Sequence, residues 1–378
     1  MLARDFFKIP GPVRSDHEHL SAIMRWLCYA QDVTRSGGVS IGWSIKNNWQ
    51  LPYPETSGYL IPTFLKYASF LGDSSYFDRA VKMGEWELGL QFANGAFPSS
   101  PGTGSIPLVF DTGQVIQGLN ALFISTNDEK WLDAAIRAAR WIVSCQNDNG
   151  SWIKGSHKNI VHTYYTRVAW PIFELSRLAG EPELGKGAES FLRWVFSMSH
   201  PDGWIDAMGF SMDLDPLTHT VAYTYEGLIE CMEFVDSCLR DDILLLVERA
   251  MGEVVNYQQR ENPTGSTRHA MPAYIGQDWH FHGNFSCLVG NAQLALLLLR
   301  LYEATGKLEY CQTGVAILEQ VKSAQILESH DPNLNGALGA SWPIWGGYGS
   351  LSFINWAGKF YADALLLNIS IKKNQSEV

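Results

Sequence analysis

Apolar residues along this chain recur at helical spacing, in pairs of segments joined by short polar turns. The pattern is clearest over 110–152. There Val115, Ile116, Leu119, Leu122 and Phe123 form one stripe, and Leu132, Ala135, Ile136, Ala139 and Ile142 form the next. Between them Thr126-Asn-Asp-Glu129 has the form of a capping box, which satisfies backbone N–H groups left orphan at a helix start. The unit closes on a Gly-x-Trp loop ending at Trp152. Neither helix buries its stripe alone, so the hairpin predicts neighbours like itself.

The neighbours are present. Hairpins recur over 56–97, 110–152, 164–204, 221–259 and 287–325. One unpaired helix is predicted near the end, over 352–367, and another near the start, over 19–31. Both are aromatic and apolar rather than polar-faced. They are therefore expected to pair with each other and close a ring, instead of capping an open array. The expected fold is all-α, a ring of six helical hairpins or (α/α)6 toroid. It is read as one domain over 1–378, with a core at 16–368 and a polar tail over 370–378 whose end, KKNQSEV, reads as disordered.

The two kinds of connection are unequal. Turns within a hairpin are short, whereas the connections at 36–54, 94–110, 147–162, 199–218, 259–284 and 327–350 are long and rich in Trp, His, Asp and Gly. In an up-down ring all six long loops fall at one end, with the start of each hairpin's first helix. Loops of that length inside a compact domain are usually functional. The site is expected at that end.

Composition narrows the partners. Of 378 residues 46% are hydrophobic and 18% charged, enough for a substantial core, and the net charge of −11 argues against nucleic acid or an anionic membrane surface. No apolar run is long enough to cross a membrane, and the first residues lack the apolar region of a secretory signal. The six cysteines lie mostly in helical apolar patterns without disulfide-framework spacing. The expectation is a cytoplasmic protein with reduced thiols and no membrane insertion.

YPETSGYLIPTFL (53–65), FDTGQVIQGL (110–119), QNDNGSW (146–152) and CLVGNAQLALLLLRLYEATG (287–306), set in the repeat, resemble the six-hairpin glycosidase type of (α/α)6 toroid. More narrowly, the chain resembles bacterial members associated with exopolysaccharide and lipopolysaccharide biosynthesis. The fold hosts glycoside hydrolases, polysaccharide lyases, sugar epimerases, lanthionine cyclases and terpene cyclases, so it does not fix the reaction. MDLDP (212–216) is a poor match to the acidic motif of squalene-type cyclases, and Leu288 after Cys287 departs from the Cys-His zinc pair of lanthionine cyclases. The histidine motifs of N-acylglucosamine epimerases are not found. The resemblance thus implies carbohydrate chemistry on an oligo- or polysaccharide, with no cofactor and no metal.

Glu55 and Asp111 each begin a first helix, so a ring brings both to one funnel. Glycosidic cleavage needs one carboxylic acid and one carboxylate. Against this, Asp111-x-x-Gln114 also reads as an N-cap and capping box. Glu226 is a third candidate acid. His162 and Tyr165, and His219 and Tyr223, open two further hairpins about one helical turn apart, where they can face the same side. They suit proton abstraction next to a uronate carboxylate, with Arg167 as its bidentate clamp. Trp49, Trp279, Trp342 and Trp345 lie on the long loops, and a flat indole stacks on a sugar ring. Gln114, His280 and His282 complete the candidate substrate contacts, while Trp43 and Trp152 of the Gly-x-Trp loops are read as staples between helices. The leading expectation is a glycoside-hydrolase-like enzyme of bacterial surface-polysaccharide metabolism. A uronate lyase or C5-epimerase and a non-catalytic saccharide-binding protein are the alternatives.

Overall fold

Short turns that reverse the chain set the repeat. At four of them a residue in the left-handed region ends a helix: Gly72 (φ 68°), Asn127 (φ 54°), Gly180 (φ 64°) and Gly306 (φ 70°). Each donates its N–H to the carbonyl four residues back, which stops the helix and satisfies an orphan acceptor.

The computed structural model describes residues 10–99, 106–261 and 271–376. Its α-helices are α1 (Asp16–Asp32), α2 (Pro54–Leu71), α3 (Ser74–Leu88), α4 (Val109–Thr126), α5 (Glu129–Ser144) and α6 (Thr166–Ala179). They continue as α7 (Pro182–Ser197), α8 (Thr218–Cys231), α9 (Ser237–Glu261), α10 (Leu288–Thr305), α11 (Leu308–Ala324) and α12 (Asn355–Ser376). The even-numbered helices pack side by side in the order α2, α4, α6, α8, α10, α12 and back to α2, which closes an inner ring. The odd-numbered helices lie outside, each against its hairpin mate, and α1 against α12.

The two rings differ in pattern because they differ in burial. In α4 residues 109–120 are buried without a break, and in α10 residues 288–299, as expected of helices surrounded on all sides. In outer α5 only one face is buried, through Trp131, Leu132, Ala135, Ala138 and Ile142. The inner helices touch at backbone distance. A Cβ built on Gly58 would stand 2.6 Å from Val115 Cα, and one on Gly118 2.3 Å from the Gly58 carbonyl. That approach of α2 and α4 brings the residues one turn before it, Glu55 and Asp111, into one space.

At the long-loop end β1 (Gly42–Ser44) pairs antiparallel with β2 (Asn48–Trp49) and with β7 (Ser352–Ile354), tying the loop after α1 to the strand entering α12. Two two-stranded sheets, β3 (Tyr274–Gly276) with β4 (His280–His282) and β5 (Ser286–Cys287) with β6 (Ser341–Trp342), edge the same end. At the opposite end buried Asp16 joins α1 to α11 and α12. Its carboxylate takes Lys322 Nζ at 2.8 Å, Lys372 Nζ at 2.7 Å and Asn368 Nδ2 at 3.0 Å.

Two local expectations are corrected. The cap between α4 and α5 is Asp128, whose carboxylate accepts from Lys130 N–H, whereas Thr126 remains helical and donates its hydroxyl to Leu122 O. The C-terminal helix does not stop at 367. Burial of Ile371 and the Lys372–Asp16 pair carry it to Ser376.

One buried group opposes folding. Glu87 on α3 is fully buried, neither carboxylate oxygen has a partner among the described residues, and burial holds its pKa well above the carboxylate range. A carboxyl that binds its proton more tightly when folded loses stability as pH rises above its unfolded pKa. Glu87→Gln should therefore be the more stable protein at pH 8 by on the order of 1 kcal/mol. Denaturant titrations should show that advantage vanish by about pH 4.

Candidate active site at the loop end of the ring

A cavity of about 410 Å³ opens at the long-loop end, within the ~300–1,000 Å³ typical of small-molecule sites. Five of the six hairpins supply its wall. Tyr53, Glu55 and Thr56 come from the start of α2, and Leu108, Phe110 and Asp111 from the start of α4. His157 and Tyr164 come from the loop into α6, Phe210, His219 and Tyr223 from the loop into α8 and that helix, and Tyr348 and Trp356 from the loop into α12 and its first turn. The aromatic side chains form a continuous lining, with Phe110 5.2 Å from Tyr164 and 5.4 Å from Tyr223, and His219 5.5 Å from Tyr348, between ring centroids.

The charged groups in this wall are two carboxyls. Glu55 occupies the second position of α2, after Pro54. Asp111 is the third residue of α4, whose cap position is Leu108, so Asp111 is not an N-cap. Its Oδ2 instead accepts the Tyr53 hydroxyl at 2.7 Å. Burial pushes the Glu55 pKa up to about 7, against a hydrogen bond from Tyr53 and the field of Arg167, which both lower it. Burial and the neighbouring Glu55 charge hold the Asp111 pKa well above the usual range. Burial and both carboxylates raise the Tyr53 phenol, so it keeps the proton that it donates to Asp111. Near neutral pH the pair therefore retains a proton.

Removing this donor should have a specific signature. In Tyr53→Phe, Asp111 loses a hydrogen bond that favours its charged form, and its pKa should rise further. Comparing the titration of this carboxyl in the two proteins checks this.

His219 is the other polar feature. Its Nδ1 lies 2.5 Å from Gln293 Oε1, and the Gln293 amide donates to Glu226 Oε2 at 3.2 Å. That orientation makes Nδ1 the donor and leaves Nε2 an acceptor. Burial lowers the His219 pKa to about 4, so the ring is neutral. Beneath it Arg167 is fully buried. Its Nη1 meets Glu226 Oε1 at 2.6 Å, its Nη2 reaches Gln114 Oε1 at 3.2 Å and Gln117 Oε1 at 3.4 Å, and its guanidinium lies under the Tyr223 ring at 5.1 Å. This layer closes the floor. A separate cavity at the short-turn end, lined by Glu226, Lys359 and Asp363, lies on its other side.

No family model matches the chain, and no curated protein matches it. Solved structures do. An unsaturated glucuronyl hydrolase specific for heparin superposes with a TM-score of 0.72 at 15% identity, over 94% of this chain and 97% of that one. The cellobiose 2-epimerase of Spirochaeta thermophila superposes at 0.70 and 12%, over 93% and 95%. A polysaccharide lyase does so at 0.66 and 13%, over 95% and 98%. The fold is the (α/α)6 toroid that these structures share. At these identities the likeness extends to the fold alone.

Within the toroid Glu55, Asp111, His219 and Tyr223 meet at one cavity, and other sequence candidates do not. Glu226 and Arg167 sit below the floor as an ion pair, so neither faces the cavity as general acid or carboxylate clamp, and Gln114 is spent on Arg167. His162 is buried, with Nδ1 2.9 Å from Gly209 O and Nε2 2.9 Å from His157 O, so both nitrogens are occupied. Residues 163–165 form a 3-10 turn, and this rotation turns Tyr165 inward to Ser156 and the His157 amide while Tyr164 lines the cavity. Trp279 is buried against Trp204 and Tyr225, Trp342 is held in β6, and Trp345, though exposed, lies outside the lining. His280 and His282 stack on each other, and His282 pairs with Asp215. Trp49 gives its N–H to Asn333 and lines an adjoining shallow depression that shares Tyr53 with the cavity. Among the described residues no cluster of His, Cys, Asp and Glu has metal-binding geometry, and no helix is long and apolar enough to cross a membrane.

Nine lining residues escaped the sequence reading: Tyr53, Thr56, Leu108, Phe110, His157, Tyr164, Phe210, Tyr348 and Trp356. Of these, Tyr53, Thr56 and Phe110 fall in the stretches that bear the resemblance.

Proposed function

We propose that the protein is a carbohydrate-acting enzyme of glycoside-hydrolase type, with Asp111 as general acid and Glu55 as the carboxylate base or nucleophile. The observation that carries this reading is the pair of carboxyls on one wall of an aromatic cavity, Asp111 holding the Tyr53 hydroxyl, with both carboxyls pushed above the usual carboxylate range. Two titratable groups so raised are suited to acid and base roles at one pH. The aromatic wall suits the faces of a sugar ring, and the closed floor suits the end of a saccharide chain rather than its middle. The carbohydrate-active neighbours support the class of substrate, and the sequence resemblance supports a setting in bacterial surface-polysaccharide metabolism. Incubation with a panel of terminal glycosides, with the released sugar followed by NMR, tests the reading. Hydrolysis by the wild type but not by Asp111→Asn supports it. Binding without turnover supports the saccharide-binding alternative instead.

One observation favours a second reaction. Neutral His219, with Nε2 free to accept and 4.3 Å from the Tyr223 ring between centroids, has the form of a base for C–H proton transfer. An epimerase would incorporate solvent deuterium at the inverted carbon, which hydrolysis would not.

A further inference from the structure

The charge of the substrate can be read from the wall of this cavity, on the basis of the saccharide reading just given. Among the described residues, no lysine or arginine lines it. The Arg167 guanidinium beneath the floor is covered by Tyr223 and committed to Glu226, Gln114 and Gln117. Lys359 is tied to Asp363 at 2.7 Å and belongs to the cavity at the other end. His219 stays neutral at ordinary pH, and burial and the nearby Lys158 lower the His157 pKa as well. What faces a ligand is two carboxyls in an apolar surround, at least one of them ionised above neutral pH.

A sugar carboxylate entering such a site would lose its hydration without meeting a lysine or arginine among the described lining residues, and it would meet like charge. Hydroxyl groups, in contrast, find donors and acceptors in Tyr53, Asp111, Glu55 and His219. We propose that the cavity accepts an uncharged sugar unit and excludes a uronate, although a solved structure with the same fold is a glucuronyl hydrolase.

The test uses thio-linked disaccharides, which resist hydrolysis, in the gluco, galacto and manno series. Each is prepared as the neutral glycoside, its C6-oxidised uronide and the corresponding uronamide, and binding to the full chain is measured by calorimetry at pH 7.5. The expected result, in whichever series binds, is a neutral glycoside at least tenfold tighter than its uronide, with the uronamide restoring most of the loss. Equal or tighter binding of the uronide overturns the inference and leaves the saccharide reading standing. A uronamide as weak as the uronide makes the exclusion one of shape rather than charge and also overturns it. If no member of any series binds, the saccharide reading fails and takes this inference with it.

Discussion

Replacing Asp111 by Asn is expected to lower kcat by about 10²–10⁴-fold, the usual worth of a positioned general acid, with KM much less affected. Asn fills the same volume and can still accept the Tyr53 hydroxyl, so the fold should be retained. What disappears is the proton. Glu55→Gln should cost a similar factor for the opposite reason, since a neutral amide neither accepts a proton nor attacks a sugar carbon. The double variant should lose little more than either single one, because the two groups act as a unit. The pH dependence follows from the same pair. Activity in the wild type requires Glu55 ionised and Asp111 protonated, so kcat/KM should rise through about pH 7 as Glu55 loses its proton. It should fall at higher pH, where Asp111 follows. Burial and mutual repulsion thus predict a neutral-to-alkaline optimum instead of the acidic one that two ordinary carboxyls would give. Steady-state rates of the three variants and the pH profile of the wild type check both statements.

Asp16→Ala should destabilise the protein by about 3–5 kcal/mol. Burial alone would raise the Asp16 pKa, but hydrogen bonds and charge from Lys322 and Lys372 outweigh it and hold the carboxyl low. The substitution leaves Lys322, also buried, with only the half-buried Glu319 as counter-charge, and it cuts the link between the first helix and the last two. For a chain of 378 residues unfolding cooperatively, that loss lowers Tm by roughly 4–6 °C. Because the folded carboxyl has the lower pKa, its contribution is present above the unfolded value and is lost as pH falls through the folded one. The difference in Tm between wild type and variant should therefore be full at pH 7 and shrink below about pH 4. A difference that does not change with pH would mean that packing, rather than the ion cluster, ties the ends of the ring.

The ring was legible in the sequence because its causes are local. The all-round apolar character of 109–122 against the one-sided 129–144 separates inner from outer helices, and Gly72, Asn127, Gly180 and Gly306 mark the reversals. Once the first helix of each hairpin is known to be inner, Glu55, Asp111, His219 and Tyr223 follow as residues at its loop end. Depth was not legible. Helical periodicity gives the face of a residue but not its height: Glu226 is the ninth residue of α8, and Arg167, although the second of α6, follows the 3-10 turn at 163–165 and pairs with Glu226 beneath the floor. Tyr164 and Tyr165 exchanged places because a 3-10 turn has three residues per turn, not 3.6. The loop tryptophans were misplaced for a related reason. Trp279 and Trp342 are fixed by loop-to-loop packing and short strands, whose partners lie far away in sequence.

The account turns on Glu55 and Asp111 sharing a proton, and this can be measured without knowing the substrate. Carbon-13 carboxyl NMR of the wild type, with the two signals assigned through Glu55→Gln and Asp111→Asn, follows each group through pH. Glu55 should titrate near pH 7 and Asp111 well above the usual carboxylate range, each shifting when the other is neutralised. Both carboxyls titrating independently near pH 4, where unperturbed Asp and Glu do, would contradict it.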